Sequence, residues 1–83
     1  MFARQRLIAA RESAGITQTA LADRSGLSIA AIQSYETGRR TPHADQLGAL
    51  ANALGVSADY LLGSHSLEVD HVLQEVKRLI SRD

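Results

Sequence analysis

Residues 17–38, TQTALADRSGLSIAAIQSYETG, carry the densest structural signal in this 83-residue chain. They predict two short helices, about residues 17–25 and 28–37, joined by a tight turn at Gly26. Apolar side chains recur on one side of each helix and predict the faces that pack into a core: Leu21, Ala22, Leu27, Ile32 and Tyr35. This pattern is typical of a helix-turn-helix unit.

Both helices carry start and stop signals. The hydroxyls of Thr17 and Ser28 can accept hydrogen bonds from unpaired backbone N–H groups of the first turn. Gly26 and Gly38 end the two helices, since glycine tolerates the left-handed conformation found there. The core positions leave the outer flank of the second helix, residues 28–34, free. A helix-turn-helix unit presents such a flank to base edges in the DNA major groove.

Three further helices flank this unit, and together they predict an all-α fold of five helices. They span about residues 2–14, 42–54 and 57–62, with Pro42 expected in the first turn of its helix and Ser57 as a cap. Their inward-facing residues are predicted to be Leu7, Ala10, Ala14, Leu47, Leu50, Ala51 and Leu54, and their stops Gly15, Gly55 and Gly63.

A sixth, amphipathic helix is predicted for residues 67–82, after a short polar break. Its apolar stripe consists of Leu67, Val69, Val72, Leu73, Val76, Leu79 and Ile80. The stripe is wider than a helix facing solvent needs, so it must pack on its own domain or on a second copy of the chain. The sequence therefore divides into a domain of residues 1–63 and a C-terminal helix within residues 64–83.

Composition narrows the function classes. The chain has no cysteine, no apolar run of membrane-spanning length and no visible signal peptide. Nine basic residues balance nine acidic residues, which argues against a non-specific polyanion binder. Residues 1–63 hold six arginines against five acids, and Arg39 and Arg40 form an adjacent basic pair after the second motif helix.

No metal site, cofactor site or catalytic centre is expected. His71, Glu75 and Glu68 offer at most three ligands, one fewer than a closed structural zinc site needs. The sequence also lacks a nucleophile elbow and a phosphate-binding loop. We therefore expect a binding protein rather than an enzyme.

The run from Leu7 to Gly63 resembles the helix-turn-helix family of Cro and the lambdoid phage repressors. The matching residues are Leu7, Ala10, Arg11, Gly15, Ile16, Thr17, Gln18, Leu21, Ala22, Gly26, Leu27, Ser28, Ile32, Tyr35, Glu36, Gly38, Pro42, Leu47, Leu50, Ala51, Leu54, Gly55, Val56, Ser57 and Leu61. The resemblance implies a lambda-repressor-like DNA-binding domain in a cytoplasmic, nucleoid-associated regulator from a bacterium or phage. It further implies repression from a two-fold DNA operator bound by a homodimer.

Four residues of the second motif helix are candidates for base contact: Ile29, Ala30, Gln33 and Ser34. Gln33 can pair with adenine through two hydrogen bonds, and Ser34 can donate or accept one. Ile29 and Ala30 can offer apolar contact to a thymine methyl group. The alternative is that Gln33 and Ser34 are ordinary solvated residues.

The candidates for phosphate contact are Thr17, Gln18, Ser28, Arg39, Arg40 and Thr41. Gln18 begins the first motif helix, where its amide could also brace the second; the alternative is an exposed polar residue in a first turn. The resemblance implies a structural ion pair between Arg11 and Glu36. Arg4 and Arg6 are expected to be solvated more than to contact DNA.

The dimer surface is expected to comprise Tyr60, Leu61, Val69, Val72, Leu73, Val76, Leu79 and Ile80. Packing of the sixth helix on its own domain is the alternative. A second function class is an antitoxin or protein-interaction module that binds a toxin or an anti-repressor through that helix. Co-purification of a stoichiometric heterologous protein would distinguish that class from a DNA-binding homodimer.

Overall fold

The computed structural model describes residues 2–63. Five helices follow one another in this part of the chain: α1 (Arg4–Ser13), α2 (Gln18–Ser25), α3 (Ile29–Thr37), α4 (Ala44–Leu54) and α5 (Ala58–Leu62). All regular structure in these residues is helical, so the predicted all-α, five-helix architecture is confirmed. Each of the five helices is too short or too polar for a membrane span. The predicted sixth helix lies outside the described residues.

Hydroxyl caps start three of the helices, as predicted. Thr17 Oγ1 accepts from the backbone N–H of Ala20 at 3.1 Å, and Ser28 Oγ accepts from that of Ala31 at 3.1 Å. Ser57 Oγ accepts from the N–H of Tyr60 at 3.0 Å. Each cap of this kind stabilises a helix by about 1 kcal/mol.

The turn between α2 and α3 depends on Gly26 and Ser25. Gly26 has φ +74°, which disfavours any residue with a Cβ, and its N–H donates to the Ala22 carbonyl at 2.9 Å. A Cβ at this position would meet nothing within 4 Å, so the need for glycine comes from backbone conformation and not from space. The Ser25 hydroxyl donates to the same Ala22 carbonyl at 3.3 Å and accepts from the Leu27 N–H at 3.4 Å. These bonds hold the turn between α2 and α3 together.

The core lies where the five helices converge. α2 packs against α3 and α4, α1 packs against α3 and α5, and α4 packs against α5. The side chains with no solvent exposure are Leu7, Leu21, Ile32, Tyr35, Leu50 and Leu61. Because α3 is held by both α1 and α2, its orientation is fixed by the interior of the domain.

Two predicted helix boundaries are wrong. α1 ends at Ser13 and Gly15 takes φ +70°, so Ala14 is exposed and does not belong to the core. Pro42 is buried but precedes α4, whose N-cap is His43. The side-chain oxygen of Gln46 accepts from the His43 N–H at 2.9 Å, so His43 caps a helix that begins at Ala44, two residues after Pro42.

Leu61 was expected at a dimer surface, and the structure contradicts that assignment. Its side chain is fully buried in the core formed with the other helices. Its carbonyl also accepts from the Ala3 N–H at 2.8 Å, which ties the start of the chain to α5. Leu61 therefore stabilises the domain and presents no side-chain surface to a second copy.

Candidate nucleic-acid interface

The two faces of α3 differ sharply in burial. Ile32 and Tyr35 have no exposed surface, whereas Ile29, Ala30 and Gln33 are exposed. Ile29 is 42% exposed and is the large apolar side chain that stays exposed within residues 2–63. The flank of α3 that carries Ile29, Ala30 and Gln33 is thus open within the described part of the domain, as the sequence predicts.

A concave surface runs along this exposed flank, and we call it the α3 groove. It has a volume of about 530 Å³ and is lined by Gln18, Ala30, Gln33, Ser34, Thr37 and Arg39. Five of these six residues are among the predicted DNA contacts, so the fold brings them to one place. The lining contains amides, hydroxyls and a guanidinium but no carboxylate, which suits a polyanionic ligand.

Thr37 is the member of the groove that the sequence reasoning missed. Its hydroxyl donates to the Gln33 carbonyl at 2.9 Å and lies 3.3 Å from the Ser34 carbonyl, so it stays on the groove side of α3. Helical spacing could have identified Thr37, because residues three and four apart on a helix share a face. Thr37 stands four residues after Gln33 and three after Ser34.

The remaining predicted contacts lie at the rim or outside the groove. Thr17 and Ser28 are exposed at the N-termini of α2 and α3, where their oxygens accept the capping bonds. Arg40 and Thr41 are exposed in the segment that follows α3. Ile29 precedes the groove residues at the first position of α3.

The chain leaves α3 in a defined geometry. The Ser34 carbonyl accepts from the N–H groups of Arg39 and Arg40 at 2.9 and 3.2 Å. Gly38 takes φ +82° between them and the helix. The side chains of Arg39 and Arg40 are exposed, and their guanidinium groups make no hydrogen bond within residues 2–63, which leaves both cations open to a ligand beside the groove in this part of the chain.

Glu36 lies at the centre of a buried polar cluster behind the groove. Its carboxylate receives Arg11 Nε at 2.7 Å, Arg11 Nη2 at 3.2 Å and Gln18 Nε2 at 3.0 Å. The side chain of Glu36 is 6% exposed and that of Arg11 is 16% exposed. The hydrogen bond to Glu36 raises the pKa of Arg11, against the opposing effect of burial. The acidic residue of α3 is thus neutralised and turned away from the open flank.

The structure contains the bracing contact that was expected of Gln18 beside its proposed phosphate contact. Its amide N–H₂ group donates to Glu36, which joins the start of α2 to the end of α3. The same side chain lines the groove. Since the carboxylate attracts the amide nitrogen, the amide oxygen of Gln18 is directed away from Glu36.

Arg4 is exposed, as expected, and Arg6 is half-buried, but both also make hydrogen bonds within the fold. Arg4 Nη1 donates to the backbone carbonyl of Glu36 at 3.1 Å. Arg6 Nη1 donates to the carbonyl of Tyr60 at 3.0 Å, and its guanidinium lies 4.9 Å from the centre of the Tyr60 ring. Both side chains are drawn to carbonyls of elements far away in the sequence, which a helix pattern does not reveal.

Comparison with known proteins places the chain in a family. A helix-turn-helix family model matches residues 7–61. The SPbeta prophage-derived uncharacterized HTH-type transcriptional regulator YonR of Bacillus subtilis is 37% identical over 79 residues, covering 93% of this chain and 73% of that protein. The HTH-type transcriptional regulator ImmR of the same organism is 41% identical over 59 residues, covering 71% of this chain and 46% of ImmR.

Among solved structures, the P22 c2 repressor in complex with the synthetic operator 9T is similar with a TM-score of 0.72 and 35% identity, covering 78% of this chain and 98% of that one. The chain therefore belongs to the helix-turn-helix family of transcriptional regulators, with a fold of the phage-repressor type. The family resemblance predicted from the sequence is confirmed. These relatives are regulators and a repressor rather than enzymes, as expected.

Proposed function

We propose that this chain is a sequence-specific DNA-binding repressor that lays α3 in the major groove of a two-fold operator as a homodimer. The observation that carries the proposal is the exposed flank of α3 at Ile29, Ala30 and Gln33, whose opposite face is buried. A helix held this rigidly by its own core can present side chains to base edges without reorganising. The similarity to a repressor solved with its operator supports the same function.

Base recognition would come from four side chains on the open flank. Gln33 would pair with adenine through its amide, and Ser34 would add one hydrogen bond. Ile29 and Ala30 would contact apolar groups such as the thymine methyl. Desolvation of the exposed Ile29 side chain on such a contact would favour binding as well.

Phosphate contacts at both ends of the α3 groove would fix the position of α3 along the DNA. Arg39, Arg40 and Thr41 would meet the backbone beyond the end of α3, through two guanidinium groups with no partner in residues 2–63. Thr17, Gln18 and Ser28 lie at the N-termini of α2 and α3, where N–H groups and the helix dipole favour an anion. These contacts would give affinity and salt dependence but no base preference.

We propose a homodimer because a single domain offers few groups that can distinguish base pairs. Of the four proposed base-contact residues, two carry polar side chains, Gln33 and Ser34, so one domain would distinguish few base pairs. Two copies on a two-fold site would double that recognition, with half-sites about 34 Å apart. Of the proposed dimer residues, Tyr60 is half-buried in α5, and those from Val69 to Ile80 lie outside the described residues.

Selection of bound DNA from a randomised library tests the proposal on the full chain at fixed salt. We expect enrichment of one motif with two-fold symmetry and half-sites about one helical turn apart. Absence of any sequence that outcompetes bulk DNA would overturn sequence-specific recognition. Enrichment of a single asymmetric half-site would keep the recognition and overturn the dimer. Co-purification of a stoichiometric heterologous protein without operator preference would favour the antitoxin alternative.

A further inference from the structure

Two cations occupy a place that local helix physics disfavours. Arg4 and Arg6 stand in the first turn of α1, which holds no acidic residue, although the positive end of a helix dipole repels positive charge. Such a placement indicates that the side chains serve contacts elsewhere in the fold. For Arg4, the contact is the C-terminus of α3, 32 residues away in the sequence.

Arg4 touches that C-terminus at two points. Its Nη1 donates to the Glu36 carbonyl at 3.1 Å. Its stem crosses the backbone of Gly38, because a Cβ built on Gly38 would come within 3.2 Å of Arg4 Cδ and 3.4 Å of Arg4 Nε. The side chain of Arg4 is therefore laid across the end of α3, and the absence of a side chain at Gly38 makes room for it.

The C-terminus of α3 needs such a partner. Its last turn contains no basic residue, and the side chains of Arg39 and Arg40, which follow Gly38, are exposed. The Ser34 and Tyr35 carbonyls receive the backbone N–H groups of Arg39 and Gly38. The Glu36 carbonyl receives the Arg4 guanidinium instead. Arg4 thus supplies from α1 both a hydrogen-bond donor and a compensating charge to the end of α3.

We propose that Arg4 is a positioning residue that caps α3 from a distant helix and thereby fixes the direction in which Arg39 and Arg40 leave it. The effect of Arg4 on DNA binding rests on the proposed function, because Arg39 and Arg40 are the proposed phosphate contacts. Arg4 itself acts through them and does not contact the phosphate backbone. Its contacts with the Glu36 carbonyl and the Gly38 backbone carry this assignment.

The first arm of the test needs no DNA. Amide exchange of Gly38, Arg39 and Arg40 is measured by NMR in the wild type, in Arg4→Gln and in Arg6→Gln as the matched control from the same helical turn. Loss of a charge at a helix C-terminus predicts exchange about two- to fivefold faster at these amides in Arg4→Gln, with little change in global unfolding. Arg6→Gln should leave them unchanged, because Arg6 bonds to the Tyr60 carbonyl. Unchanged exchange in Arg4→Gln overturns the cap.

The second arm measures affinity for the selected operator against salt. Arg4→Gln should weaken binding in the wild-type background and have no further effect in an Arg39→Gln/Arg40→Gln background. If Arg4→Gln still weakens DNA binding in that background, and the slope of log affinity against log salt falls by about 0.9, then Arg4 contacts a phosphate directly. That result would overturn the proposal. If the chain binds no DNA, the proposed function fails while the exchange arm still tests the cap.

Discussion

Arg11 holds both carboxylate oxygens of Glu36, with Nε at 2.7 Å from Oε2 and Nη2 at 3.2 Å from Oε1. The pair joins α1 to the end of α3, and Gln18 joins α2 to the same carboxylate at 3.0 Å. One buried side chain therefore fixes α3 against two other helices. The proposed DNA-binding helix gains its orientation from the polar cluster behind it as well as from the apolar core.

We predict that Glu36→Ala destabilises the domain strongly. Removing the carboxylate strands the half-buried Arg11 guanidinium, and breaking a buried pair of this kind costs about 3–5 kcal/mol. Urea unfolding followed by circular dichroism measures the change in the free energy of unfolding. Glu12→Ala, an exposed acid beside Arg11, is the control and should cost little. Replacing both partners with Arg11→Met/Glu36→Leu should cost less than the two single losses together, and strict additivity would contradict the coupling.

Arg39→Gln and Arg40→Gln should each weaken DNA binding across all sequences. Each removes one exposed guanidinium beside the α3 groove, so the slope of log affinity against log salt should fall by about 0.9. Fluorescence anisotropy at several salt concentrations gives the slope. Arg24→Gln, at an exposed arginine in the last turn of α2, is the control and should leave it unchanged. An unaltered slope in both test variants would remove these residues from the phosphate contacts.

Gln33→Ala should change specificity more than affinity for bulk DNA. The exposed Gln33 amide lines the groove, and loss of one paired base contact costs about 1–3 kcal/mol of discrimination at a single base pair. Repeating the library selection with the variant shows which position has relaxed. Gln5→Ala, an exposed glutamine on α1, serves as the control. A uniform loss of affinity over all sequences would refute base recognition by Gln33.

Tyr35→Phe should leave the domain at least as stable as the wild type. The Tyr35 side chain is fully buried, and its hydroxyl makes no hydrogen bond in the described part of the chain. Removing an unsatisfied buried hydroxyl should raise the free energy of unfolding by about 1 kcal/mol. That change corresponds to a Tm higher by roughly 4–8 °C in a domain of this size. Tyr60→Phe is the control, and a clear drop in Tm for Tyr35→Phe alone would show that the hydroxyl has a partner.

The dimer prediction rests on the apolar stripe of residues 67–82. Placing charges in that stripe with Val72→Asp/Val76→Asp should convert the full chain from dimer to monomer at micromolar concentration, because buried unpaired carboxylates are costly. Light scattering coupled to gel filtration reports the mass. Gln74→Asp adds an acid outside the stripe and should leave the dimer intact. A double variant that stays dimeric would exclude this stripe as the interface.

Interactions between residues close together in the sequence were sufficient to predict much of the fold and the location of the candidate site. Hydroxyl caps at Thr17 and Ser28 and glycine stops at Gly26 and Gly38 act within a few residues, and the structure places all four as predicted. Periodicity predicted the buried face of α3 and left its open flank as the candidate interface. The boundaries at Ala14 and Pro42 were wrong by a residue or two, because helix ends are less sharply defined by local sequence than helix interiors.

The partners of Arg4 and Arg6 came only from the tertiary structure. These two arginines bond to carbonyls 32 and 54 residues away, and Leu61 is enclosed by other helices instead of facing outward. A hydrophobic pattern assigns a residue to one face of its own helix, but it does not say which distant carbonyl or carboxylate that face will meet. That choice follows from how the five helices pack, since a long side chain reaches whatever polar group the packing brings within about 3 Å.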